Sequence, residues 1–193
     1  MKRKRLPIGL SDFQSLIEKD YYYVDKSLLI KELIDSGASV TILPRPRRFG
    51  KTLNLNMLKC FFEKQEAPGI NLFEDLAIWQ AGEEYRKHYA RYPVIYLSFK
   101  DVKLNDWPRC EGKIQRVIGA LYRTHKGILT SPELEKEEKD RFKDIMYEKA
   151  FSELYTDSLT LLMEYLSRVY KSKVIVLIDE YDIPIQQGYS GGF

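Results

Sequence analysis

The sequence predicts an α/β fold, helices layered on a mostly parallel sheet, and three observations carry that expectation. Short β-branched runs at Ser39–Leu43, Pro93–Phe99 and Val174–Ile178 alternate with longer stretches of helical period. The last run ends in two adjacent carboxylates, Asp179 and Glu180. Between the first run and the first long helix lies Arg45-Pro46-Arg47-Arg48-Phe49-Gly50-Lys51-Thr52. Strands that alternate with helices form layered sheets whose ligands sit at the carboxyl ends of the strands.

The elements follow in chain order. Met1-Lys2-Arg3-Lys4-Arg5 is a basic tail, and residues 6–23 form an irregular leader in which Asp12 to Ile17 supply one or two helical turns. Asp25-Lys26-Ser27 precedes Leu28, Leu29, Leu33 and Ile34, a capped amphipathic helix that should stop at Gly37. Ser39–Leu43 is expected as a buried strand. After Lys51, the residues Leu53, Met57, Leu58, Phe61 and Phe62 recur at helical spacing. Pro68-Gly69 breaks the chain, and Leu72 to Trp79 reads as a small ordered insert. Pro93–Phe99 is the next strand, neighbouring the acid strand. Ile114, Val117, Ile118, Leu121 and Tyr122 keep helical period, as do Leu161, Leu162, Tyr165, Leu166 and Val169, and Glu133 to Lys149 is a charged helix with a solvated face.

The stretch from Arg45 to Thr52 carries the chemistry. A phosphate-binding loop reads G-x-x-x-x-G-K-[ST]: backbone N–H groups cradle phosphate oxygens, the Lys reaches the β/γ-phosphates and the hydroxyl joins Mg²⁺. Gly50-Lys51-Thr52 keeps the last three positions, while Arg45 replaces the first Gly, which implies a differently shaped loop with added positive charge. The bland alternative is a solvated basic turn followed by an ordinary helix. The strand, loop and helix in sequence favour the site, and so does the acid pair. In a nucleoside triphosphatase of this kind Asp179 holds the Mg²⁺ shell and Glu180 orients or deprotonates the attacking water. On its own the pair could equally be a strand that ends in a charged turn.

Several blocks of the chain together resemble the AAA-ATPase-like proteins of bacteria and archaea, whose members often carry a PD-(D/E)XK nuclease-like domain after the ATPase. They are Leu6-Pro7-Ile8-Gly9 with Asp12-Phe13, Tyr22 to Ser27, Arg45 to Thr52, Tyr92-Pro93-Val94-Ile95, Phe99-Lys100-Asp101 and Ile178 to Pro184. In that family the Arg-Pro-Arg-Arg-Phe-Gly-Lys-Thr loop is usual, so Arg45 is a family trait. The resemblance implies a P-loop NTPase-like three-layer sandwich with a mostly parallel sheet, ATP and Mg²⁺ as ligands, and hydrolysis in the complete protein. Such folds place a sensor strand after the acid strand. The chain reaches Phe193 without it, so one domain, C-terminally truncated, is expected over 1–193, with 186–193 a frayed tail.

The expected site follows. Lys51 and Glu180 are the catalytic candidates. The amides and side chains of Arg47, Arg48, Phe49, Gly50, Lys51, Thr52 and Leu53 line the nucleotide phosphates, and Thr52 with Asp179 holds the metal. Ile8, Phe13 and Tyr23 are nominated as base contacts, against the alternative of simple packing.

Composition sets the remaining limits. With 193 residues, 44% hydrophobic and 31% charged, the chain can bury a core of its own. No apolar run is long enough to span a bilayer, and no apolar h-region follows the basic start, so a cytoplasmic location is expected. A net charge of +3 does not demand nucleic acid, and the 13% aromatic content shows no stacking-platform signature. Cys60 and Cys110 lack metal-ligand spacing and read as reduced thiols, and His88 and His125 are isolated. Two other readings stay open: a nucleotide-dependent interaction module with a protein partner or a second copy, and a nucleic-acid-associated fragment using Lys2 to Arg5.

Overall fold

A computed structural model describes residues 4–44, 49–65, 69–104 and 106–191. The chain divides into two compact units, Met1–Tyr92 and Pro93–Phe193.

The first unit is helical. Helix α1 (Phe13–Glu18) is the short helix expected in the leader, and it starts one residue later than expected, where Asp12 caps it by accepting the Ser15 N–H at 2.7 Å. Helix α2 (Leu28–Ser36) ends at Gly37, whose φ of 60° is the left-handed cap that a side chain would strain. Helix α3 (Lys51–Phe62) buries Met57, Leu58, Phe61 and Phe62, the stripe read from its period. The expected insert contains α4 (Ala77–Gln80), followed by α5 (Glu83–Arg86), and buries Leu72, Phe73 and Ile78. Aromatic rings knit this unit: Phe13 stacks on Phe73 at 5.1 Å, and Phe61 meets Phe73 edge-on at the same distance. Such pairs add about 0.5–1.5 kcal/mol each beyond area burial.

The expected strand at Ser39–Leu43 does not form. Val40 is 80% exposed and Ile42 64% exposed, and the described part of this unit offers that run no ladder partner. The isolated bridge here joins Glu63 to Tyr92, beside the Lys64 N–H to Tyr92 carbonyl bond of 2.8 Å. Apolar, β-branched composition favours burial, but a strand also needs a neighbour to complete its hydrogen bonds.

The second unit holds the sheet. Strand β1 (Val94–Ser98) pairs in parallel with β2 (Ile175–Asp179), in a register running from Val94 opposite Ile175 to Ser98 opposite Asp179. The crossover carries α6 (Trp107–Thr124), a 3-10 turn (Lys126–Thr130), α7 (Lys136–Met146), α8 (Ser152–Thr156) and α9 (Ser158–Tyr170). One sheet face, Ile95 and Leu97 with Val176, packs into a core of Ile118, Leu121, Tyr122, Phe142, Leu162 and Leu166. Tyr122 is fully buried, and its hydroxyl donates to the Ser158 carbonyl at 2.6 Å, which ties α6 to α9. Where α6 approaches α7, a Cβ on Gly119 would lie 3.2 Å from the Ile145 carbonyl, so the crossing depends on the missing side chain. The charged segment forms α7, and its start is closed by reciprocal Glu135 and Glu138 bonds.

Helix α10 (Asp182–Gly191) follows β2. Residues 186–191, expected to fray, are therefore helical. Pro184 falls in the first turn, where a missing N–H costs the helix nothing. The coarse α/β expectation holds as a two-stranded parallel sheet among many helices.

Candidate nucleotide site

The phosphate-loop half is built from the start of α3. Gly50 occupies its N-cap with φ 77° and ψ 21°, a left-handed conformation that favours glycine. Its carbonyl accepts the Asn54 N–H at 2.9 Å, which closes the first turn. Lys51, Thr52 and Leu53 therefore occupy that turn, where helical geometry gives the N–H groups no acceptor within the helix and the macrodipole is positive. All three are half-buried, while Phe49 is 61% exposed. Arg47 and Arg48 lie outside the described residues.

The acid half is built from the end of β2. Asp179 is the last strand residue and is only 3% exposed, and Glu180 follows it with φ 54°. A non-glycine residue in the left-handed region is held there at a cost of about 1–2 kcal/mol. The Glu180 carbonyl accepts the Ile183 N–H at 3.1 Å, so this turn also launches α10. On the same sheet face, two residues before Ser98, the phenol of Tyr96 is pushed up to about 12 by burial and then by the Asp179 charge.

Within its own unit each half is assembled by local structure: Gly50 to Leu53 by one helical turn, Asp179 and Glu180 by one strand end. Among the nominated base contacts, Phe13 is fully buried against Phe73 and is a packing residue, which corrects that expectation. Tyr23 points its hydroxyl at the Met57 sulfur, 3.2 Å away, whereas Ile8 is 91% exposed.

A family model described as "Predicted AAA-ATPase" matches residues 7–192, nearly the whole chain. The chain belongs to this AAA-ATPase-like family. It is also similar to an "Uncharacterized protein in vnfD 5'region" of Azotobacter chroococcum mcd 1, with 33% identity over 186 residues. That match covers 96% of this chain and 30% of the relative, so the chain spans about a third of the relative's length. No solved structure matches. Membership supports a general ATPase and nucleotide-binding theme.

Sequence reasoning missed part of what the family-like block Tyr22 to Ser27 does. Asp25 accepts the Ala77 N–H at 2.7 Å and Ser27 the Ile78 N–H at 3.1 Å, so both side chains cap α4, while the other Asp25 oxygen accepts the Ser27 N–H at 2.8 Å at the entrance to α2. A signal did exist, since Asp-x-Ser is a capping composition, but its remote client is visible only in the fold. Both cysteines are free, as expected. Among the described residues no group of three or more His, Cys, Asp or Glu could hold a metal, and no helix is long and apolar enough to cross a membrane.

Proposed function

We propose that this chain is the nucleotide-binding part of a Mg²⁺-dependent P-loop ATPase. The observation that carries the reading is the opening of α3, where a left-handed Gly50 cap presents Lys51 and Thr52 in the first turn of a twelve-residue helix. That geometry is an anion site, and the lysine and hydroxyl are the groups a triphosphate with its cation requires.

The roles follow from chemistry. Lys51 stabilises charge on the β/γ-phosphates, and the amides from Arg47 through Leu53 line them, with Arg48 adding a direct cation. Thr52 and Asp179 offer a hydroxyl and a carboxylate, hard oxygen donors that fit Mg²⁺, a cation usually bound by one or two carboxylates together with substrate phosphates. Mg²⁺, when bound, neutralises charge that develops on the phosphate oxygens. Glu180 orients the attacking water and accepts its proton. Its strained φ supports that role, because strained conformations cluster at functional sites. In this reading the two units belong to one P-loop domain with a three-layer sandwich, located in the cytoplasm.

Glu180→Gln separates turnover from binding. The expected result is ATP affinity close to wild type with hydrolysis lost; a wild type that binds ATP without turnover would instead make the chain a nucleotide-dependent interaction module. Salt-sensitive DNA binding that survives Lys51→Ala would support the nucleic-acid reading.

A further inference from the structure

The sheet register brings a third polar residue to the acid end of β2. Ser98 is the last residue of β1 and lies directly opposite Asp179 in the parallel ladder, and the Phe99 N–H donates to the Asp179 carbonyl at 3.1 Å. Opposed residues on neighbouring strands sit about 4.8 Å apart with side chains on the same face. Tyr96, two residues earlier on β1 and opposite Leu177, belongs to that face by the period-2 rule. The opposite face, Ile95 and Leu97, is committed to the helical core. Ser98 thus stands at the carboxyl edge of the sheet beside a carboxylate that is 3% exposed, and is itself half-buried. The Ser98 oxygen accepts from the Lys100 N–H at 3.4 Å, which turns the chain back at the strand end and leaves the hydroxyl hydrogen to donate.

We propose that Ser98 is a positioning residue for the cation site, its hydroxyl donating to the Asp179 carboxylate or to a water that the cation would hold. The proposal rests on the reading of Asp179 as the Mg²⁺ acid. Its physical basis is that a carboxylate ligand is oriented by its own hydrogen-bond partners, and losing one lowers metal affinity by about 10–100-fold. A serine also suits the position because it donates without adding a charge that would compete with the cation.

The test measures ATP affinity by calorimetry in Mg²⁺ and in EDTA for wild type, Ser98→Ala, Ser98→Cys and Ser98→Thr. Wild type should bind ATP more tightly in Mg²⁺. In Ser98→Ala that enhancement should fall about tenfold, while affinity in EDTA and the thermal midpoint stay unchanged. Ser98→Thr, which keeps the hydroxyl, should retain the enhancement. Ser98→Cys, a weak donor of similar size, decides the matter should the alanine variant lose its fold. An unchanged enhancement in both the alanine and cysteine variants overturns the role of Ser98 and leaves the nucleotide reading standing. Absence of ATP binding by folded wild type overturns both.

Discussion

Replacing Glu180 by glycine should stabilise the protein while removing its proposed water-positioning carboxylate. Glu180 sits at φ 54° immediately after Asp179, in the turn whose carbonyl receives the Ile183 N–H. A side chain in the left-handed region costs about 1–2 kcal/mol. Glycine removes that cost but adds chain entropy to the unfolded state, about 0.5–1 kcal/mol. The net gain expected for Glu180→Gly is therefore about 0.5–1 kcal/mol. For a domain of this size that raises the thermal midpoint by about 2 °C. Differential scanning calorimetry reads the midpoint, and Glu180→Gln serves as the companion that loses the charge while keeping the strain. The expected pattern is a higher midpoint for Glu180→Gly, none for Glu180→Gln, and no hydrolysis by either. A midpoint lowered in Glu180→Gly would refute the reasoning, because it would mean that the glutamate side chain stabilises this turn instead of being held there against its preference.

Three further predictions concern the framework. Ser27→Ala strands the buried Ile78 N–H, a loss of about 2 kcal/mol that urea unfolding should register. The His88 imidazole, held below its ordinary range by burial and then by Lys87, contacts the Tyr92 hydroxyl at 2.5 Å. Its folded pKa is depressed, so the neutral ring contributes stability in full above the unfolded value of about 6.5 and loses it as pH falls below that; unfolding curves between pH 7.5 and 5.5 should show this loss reduced in His88→Gln. Burial pushes the Cys60 thiol up to about 11 and raises Cys110 as well, so at pH 8 both should react slowly with iodoacetamide in the folded protein and rapidly in urea.

The parts of the fold that announce themselves in the sequence are those whose partners lie in the same element. The buried stripe of α3, the short helix α1 of the leader and the Gly37 stop of α2 are local, and each appears close to where its residues place it. The two strands Pro93–Phe99 and Val174–Ile178 were also legible, since buried parallel strands are short β-branched runs, and they pair with each other as expected. Ser39–Leu43 has the same composition but no ladder partner among the described residues of its unit, so pattern alone misleads there. Phe13 shows the converse: an aromatic residue in an irregular leader gives no hint of whether it stacks on a ligand or on Phe73. In the candidate site, the residue types and their order stand in the sequence, whereas the left-handed φ of Glu180 and the Ser98–Asp179 register required coordinates.

The central claim is that the opening of α3 binds a nucleoside triphosphate, and one comparison tests it most directly. Calorimetric titration of ATP with Mg²⁺ into the folded wild-type chain and into Lys51→Ala should show saturable binding in the first and at least a tenfold loss in the second, the minimum expected when a charge-assisted phosphate contact worth about 1.5–3 kcal/mol is removed. Equal binding by the two proteins, or none by folded wild type, would contradict the account.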